Sequence, residues 1–304
     1  MSQQQTSAPG TGRHTGPPAH LSGTITLGDL RVHRLGYGAI RLTGPGTWGD
    51  PADRAGAIAV LRRAVDLGVD FIDTAEAYGP YTNEELIRDA LHPYTGIVVA
   101  TKGGGVRPGP DQWEAVGRPG FIRQGVEMSL RRLGVDCLDL YQLHRIDPHV
   151  PLADTLGALR DLQQAGKIRH IGLSEADIDD IHAARQILDI VSVQNHYNLA
   201  TRHWEHVVDY CQDEGIAFIP WGPLGSGDLS CLGSFAHVDG LADRPPAQIA
   251  LAWLLRRCPL MLPIPGTATL SRVEENAHAA GLRLSDDQYE QLNTLAGPSP
   301  ASAH

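Results

Sequence analysis

Short apolar runs recur along most of the chain, each followed by turn residues and then by apolar positions spaced three and four apart. Runs of that length read as strands and the spaced pattern reads as helix faces, so the rhythm predicts βα units. Strand ends fall near Gly38, Asp73, Thr101, Leu143, Leu173, Gln194, Pro220 and Pro265, with amphipathic helices between them, for example over 54–67, 151–165 and 246–257. Ahead of these units, residues 24–27, a Gly28-Asp29 turn and Val32 read as a hairpin. Eight such strands predict an α/β fold with one closed (β/α)8 TIM barrel over residues 23–297, an architecture that takes about 250 residues. Residues 1–22 lack an apolar core or a cleavage pattern and are expected to be a disordered tail, with a second short tail at 298–304.

Composition narrows the picture without changing it. Of 304 residues, 42% are hydrophobic and 20% charged, which suits a packed domain. The formal net charge of -10, with no basic run interleaved with aromatics, argues against nucleic acid or an anionic membrane surface as partner. No run approaches about 18 consecutive apolar residues, so no membrane span is expected. Cys137, Cys211, Cys231 and Cys258 lie far apart with no C-x-x-C pair, which fits a reducing cytoplasm and gives no thiolate metal site. His203 and His206, three apart with no third ligand, read as a solvated face, and no metal is expected.

In a barrel of this kind, reactive groups project from the C-terminal ends of the strands, because the interior is filled by packed side chains. The second predicted strand runs into Asp73 and then Tyr78, the third into Lys102, and the fourth into His144. Singly, these could be a helix cap, a packed ring, a snorkelling amine and a core imidazole. Together at one mouth they are hard to explain by packing, since burying four hydrogen-bonding groups has a desolvation cost. They also form a working set. A phenol with a pKa of about 10 is a reluctant acid unless a neighbouring cation stabilises the phenolate, so Lys102 is expected to lower that value while Asp73 holds the ammonium in place. His144 would add a second donor to the developing oxyanion.

These four residues, with the flanking stretches Gly36-Tyr37-Gly38, Asp73-Thr74-Ala75, Tyr78-Gly79, Gly172-Leu173-Ser174, Gln194-Asn195, Tyr197-Asn198 and Ile264-Pro265-Gly266-Thr267, resemble the aldo-keto reductase superfamily from about residue 23 to 295. The resemblance implies NADPH-dependent reduction of an aldehyde or ketone, with Tyr78 as proton donor. It also implies that Ser174 and Gln194 hold the nicotinamide carboxamide, that Trp221 stacks on the ring, and that Gly222, Pro223, Leu224 and Ser226 follow the pyrophosphate. Gly266, Thr267, Arg272, Glu275 and Asn276 would clasp the adenosine end, with Arg272 on the 2′-phosphate. Two positions depart from the usual pattern: many relatives carry Lys where Gly266 stands and Asn where Glu175 stands. Residues 34–46 and the trio Tyr78-Gly79-Pro80 look most like bacterial pyridoxal reductases, also described as pyridoxine 4-dehydrogenases, which implies an aromatic aldehyde as substrate.

Two connections, 103–120 and 222–244, are too long for plain turns and are expected to cover the site. Trp113 in the first is a candidate wall of the substrate pocket, or equally an anchor for its own loop. Residues 44–49 match G-x-G-x-x-G, yet Asp50-Pro51 follows at once and delays the helix, so the segment reads as a mobile loop over the mouth with Trp48 a further pocket candidate. Other readings remain open: a sugar or secondary-metabolite ketone as substrate, a lyase using Lys102 as Schiff-base nucleophile, or a cofactor-sensing subunit without turnover. A small-molecule carbonyl partner and a monomer or small homo-oligomer complete the expectation.

Overall fold

The structure is a computed structural model and describes residues 16–225 and 235–296. The chain opens with a 3-10 turn at Pro18–Ser22, then β1 (Thr24–Leu27) and β2 (Leu30–His33) pair antiparallel as the expected hairpin. After β3 (Tyr37–Gly38), strands and helices alternate: α1 (Arg54–Asp66), β4 (Phe71–Asp73), α2 (Thr82–Leu91) and β5 (Val98–Gly103). A small ribbon of β6 (Gly105–Val106) and β7 (Glu114–Ala115) precedes α3 (Pro119–Leu133). Then come β8 (Leu138–Leu143), α4 (Leu152–Gln164), β9 (Ile168–Ser174), α5 (Ile178–Arg185), β10 (Ile190–Gln194), α6 (Glu205–Asp213) and β11 (Ala217–Phe218). Three helices end the fold, α7 (Pro246–Arg257), α8 (Leu270–His278) and α9 (Asp286–Ala296).

The main sheet has seven strands in the order β11-β10-β9-β8-β5-β4-β3, every pair parallel. An eighth strand was expected to end near Pro265. Residues 260–265 do occupy that position: Phe218 bonds to Leu260 and Leu262 on one side, and Gly36 and Gly38 donate to the carbonyls of Pro263 and Pro265 on the other. The ring therefore closes as a TIM barrel. The segment does not form a regular strand because Pro263 and Pro265 have no N–H to give a neighbour.

Two apolar layers follow from the alternation of strand side chains. Ile25, Leu27 and Val32 of the hairpin close the bottom of the barrel against Phe71, Ala100, Leu140, Ile219 and Leu262, while the helix faces pack on the outside of the strands. The tail expected through residue 22 is shorter than that at its C-terminal end. Ala19 is fully buried and its N–H donates to Leu67, so the Pro18–Ser22 turn packs on the end of α1, because an apolar residue there has a site to fill. Among the described residues, no helix is long and apolar enough to cross a membrane.

The 103–120 connection carries the β6–β7 ribbon, and the 222–244 connection includes residues 226–234, outside the described residues together with the candidates Ser226 and Cys231. The glycine-rich 44–49 loop, expected to be mobile, is pinned. Gly49 donates to Gly79, Gly79 donates to Thr47, and Trp48 forms a bridge with Gly79. The helix that follows starts only at Arg54, capped by Asp53 accepting from Gly56, as the Asp50-Pro51 break requires.

Candidate active site

Short buried strands place four polar side chains at one end of the barrel. Asp73 ends β4, Lys102 lies near the end of β5, and His144 directly follows β8. Tyr78 comes after a turn in which its own N–H donates to Ala75. Lys102 is fully buried, and its Nζ donates to Asp73 Oδ2 at 2.6 Å, to the Thr74 carbonyl at 2.9 Å and to the Tyr78 hydroxyl at 3.2 Å. Burial alone would depress the Lys102 pKa, but the Asp73 carboxylate and Tyr78 outweigh it and the pKa is raised. The ammonium is therefore held charged and shared between carboxylate and phenol.

The other oxygen of Asp73 accepts from Gln194 Nε2 at 2.8 Å and Gln142 Nε2 at 3.2 Å, and Gln194 Nε2 also reaches Gln142 Oε1 at 3.1 Å. Side chains from β5, β8 and β10 thus converge on the carboxylate of β4. Gln142 escaped the sequence reading. Its signal was its spacing: two residues before His144 on one strand, it faces the same side.

Tyr78 corrects one expectation. Lys102 does pull its pKa down, but burial is the larger influence and the phenol is raised above its ordinary value. In this state it stays protonated, as a proton donor must. His144 lies edge-on to the Tyr78 ring, with centroids 5.9 Å apart. Burial, then the Lys102 and Arg145 cations, push its pKa well below 6.5, so the imidazole is neutral. Its Nδ1 is buried without a hydrogen-bond partner among the described residues, near the backbone of Gly105. An unprotonated nitrogen tolerates that position better than an N–H, which assigns the proton to Nε2.

The cofactor candidates fall into two groups. Ser174, Gln194 and Trp221 sit at the ends of β9 and β10 and just after β11. The Trp221 indole N–H donates to Glu175 Oε1 at 2.6 Å, and the same oxygen accepts the His196 N–H at 2.8 Å. His196 stacks on one face of the indole at 4.1 Å, leaving Trp221 fixed as a plate. Ser174 Oγ accepts from Arg145 at 3.2 Å, and Gln194 gives its amide to Asp73, so both have protein partners near the strand ends. Gly222, at φ +60, and Gly225, at φ +53, turn the chain beyond Trp221, with Pro223 buried and Leu224 half-buried between them.

The second group surrounds α8. Thr267 and Asn276 are buried, Glu275 is half-buried, and Arg272 is exposed with no carboxylate paired to it among the described residues. Gly266 is not a lost lysine in an open place: a Cβ there would lie 2.5 Å from the Gly38 carbonyl oxygen. Among the described residues, no group of three or more His, Cys, Asp or Glu is placed to hold a metal ion. His206 instead pairs with Asp177 at 2.9 Å.

The aldo/keto reductase family model matches residues 34–296. The chain belongs to the aldo/keto reductase family. It is 50% identical over 276 residues to an uncharacterized oxidoreductase of Schizosaccharomyces pombe, covering 90% of each chain. It is 41% identical to pyridoxine 4-dehydrogenase of Escherichia coli, covering 91% of this chain and 99% of that one. Among solved structures, an aldo-keto reductase from Klebsiella pneumoniae in complex with NADPH superposes with a TM-score of 0.77 at 30% identity, over 91% of this chain and 96% of that one. This aldo/keto reductase is an oxidoreductase by family, and its Asp73, Tyr78, Lys102 and His144 stand together as one buried cluster.

Of the two pocket candidates, Trp113 is half exposed and meets two rings of the cluster edge-on, Tyr78 at 6.3 Å and His144 at 5.7 Å between centroids. Trp48, also exposed, lines a neighbouring cavity of about 410 Å³ with Pro80, Tyr81, Val106, Arg107 and Phe121.

Proposed function

We propose that this oxidoreductase reduces an aldehyde to an alcohol with NADPH as cofactor, and that its substrate is an aromatic aldehyde of the pyridoxal kind. The observation that carries the reading is the Tyr78 hydroxyl 3.2 Å from an ammonium that Asp73 holds at 2.6 Å. NADPH, when bound, supplies a hydride to the carbonyl carbon. The chain handles the oxygen: Tyr78 hands over its proton, Lys102 stabilises the phenolate left behind, and His144 Nε2–H orients the substrate oxygen and shares its negative charge. Because the phenol is held protonated, it yields its proton only as the oxygen becomes strongly basic, which couples proton delivery to carbon–hydrogen bond formation.

Trp221, locked by Glu175 and His196, suits a face against the nicotinamide, and Arg272 suits the 2′-phosphate of NADPH. The bound NADPH of the Klebsiella pneumoniae relative supports this cofactor. The aromatic walls Trp48 and Trp113, with the likeness to pyridoxine 4-dehydrogenase, support a planar aromatic substrate. A Schiff-base lyase is disfavoured, because Lys102 is an ammonium with three partners and not a free amine. The test is a panel of aldehydes and ketones, pyridoxal included, assayed with NADPH and NADH on wild type and Tyr78→Phe. The variant should keep its NADPH affinity and lose turnover by about 10²–10⁴-fold. Undiminished turnover refutes the acid role.

A further inference from the structure

Loop 44–49 and the 103–120 connection meet above the mouth, and a single buried side chain joins them. Arg107 is 8% exposed. Its Nη1 donates to the Thr47 carbonyl at 3.0 Å and the Ala77 carbonyl at 3.3 Å, its Nη2 to the Gly46 carbonyl at 2.5 Å, and its Nε to the Gln112 carbonyl at 2.7 Å. The guanidinium plane also lies 3.8 Å from the centre of the Trp113 indole. Its acceptors are neutral carbonyls and a ring face, and no carboxylate pairs with it among the described residues. A cation spent in this way is not offered to an anionic ligand. Its geometry is that of a clasp.

The clasp touches three things that matter to the site. Gly46 and Thr47 belong to the loop that carries Trp48, Gln112 precedes Trp113, and Ala77 precedes Tyr78. Asp111 N–H donates to the Gly46 carbonyl at 3.0 Å, a second link between the loops that shares an acceptor with Arg107. Trp113 is half exposed, and its edge contacts to Tyr78 and His144 need a defined orientation.

We propose that Arg107 is a positioning residue for the substrate pocket, joining the two loops into one wall and holding the Trp113 indole against Tyr78 and His144 so that a planar aromatic carbonyl compound is gripped. The assignment rests on the reading of Tyr78 as the proton donor. A guanidinium is required because its fixed fork spans several carbonyls while its plane stacks on the indole, whereas a lysine presents one point of charge.

Four variants test it: Arg107→Met, Arg107→Lys, Trp113→Ala, and the double variant that combines Arg107→Met with Trp113→Ala. With benzaldehyde, Arg107→Met should raise KM about tenfold or more, change kcat less than about threefold, and leave the NADPH Kd within about twofold. Arg107→Lys should recover only part of the loss. With propanal, too small to need the wall, kcat/KM should fall less than about threefold. The double variant should lose less than the product of the two single losses, because both act in part through one indole. Additive losses, or an equal fall in kcat for both aldehydes, overturn the proposal. Amide hydrogen exchange separates this from the proposed reaction: in Arg107→Met, peptides covering 44–49 and 106–113 should both exchange about tenfold faster. Acceleration confined to 106–113 overturns the clasp even in an enzyme that reduces every aldehyde offered. Joint acceleration in a protein that reduces none supports the clasp and removes the proposed reaction instead.

Discussion

Glu76 should make the protein less stable as the solution becomes alkaline, and replacing it with glutamine should remove that weakness. The carboxyl is buried near the strand ends that carry Asp73 and Lys102, where one oxygen accepts the Gly104 N–H at 3.1 Å. Burial, with the nearby Glu84 carboxylate, pushes its pKa up to about 7 from an ordinary 4.5. A raised carboxyl binds its proton more tightly in the folded chain than in the unfolded one. The stability this contributes is full below pH 4.5 and is lost as pH rises through 7. At about 1.4 kcal/mol per pH unit, the difference amounts to at most about 3 kcal/mol between pH 4.5 and 8. Glutamine keeps an oxygen for the Gly104 N–H but never ionises. Glu76→Gln should therefore gain about 1–3 kcal/mol at pH 8 and almost nothing at pH 5, measured by urea unfolding at both. An equal change at the two pH values would refute the assignment of Glu76 as the titrating group.

Three further outcomes follow from the same structure. Arg272→Ala should weaken NADPH about tenfold or more while leaving NADH nearly unchanged in fluorescence titrations; equal losses show that the 2′-phosphate is read elsewhere. Gly266→Ala should cost about 1–3 kcal/mol in thermal or urea unfolding, because the added methyl meets the Gly38 carbonyl at 2.5 Å, and a variant of wild-type stability contradicts that close approach. The pH profile of kcat/KM should show no inflection near 6.5, since His144 is already neutral there. Its stabilising effect of staying neutral is present above 6.5 and lost as pH falls toward its depressed folded value, so an inflection near 6.5 points to a charged imidazole in the working site.

The barrel was legible because its pattern is local: apolar runs, turn residues and spaced helix faces lie within a few residues of one another. The bounds of α7 agree with the expected 246–257, and β8 and β10 end at Leu143 and Gln194 as expected. The last strand was harder, because apolar character persists through 260–265 while the prolines remove the donors that make a ladder. The tetrad was legible because Asp73, Lys102 and His144 sit at strand ends, where side-chain direction is predictable. The sign of the Tyr78 shift was not, since it depends on how much water the finished fold excludes, and no stretch of sequence carries that quantity. Arg107 was hidden for a related reason. Its partners Gly46, Thr47, Ala77 and Gln112 come from three separate segments, and their carbonyls exist as acceptors whatever the side chains are.

Three strands besides its own meet at Asp73, and that separates a tightly coupled part of this fold from a loosely coupled one. Lys102, Gln142 and Gln194 lean on the same carboxylate from different staves of the barrel, so a change at any of them disturbs the proposed proton chemistry and the ring of strands together. Trp48 and Trp113, the proposed walls of the substrate pocket, hang on loops outside that knot. Exchanging those loops would therefore reshape the proposed pocket while leaving the carboxylate cluster in place.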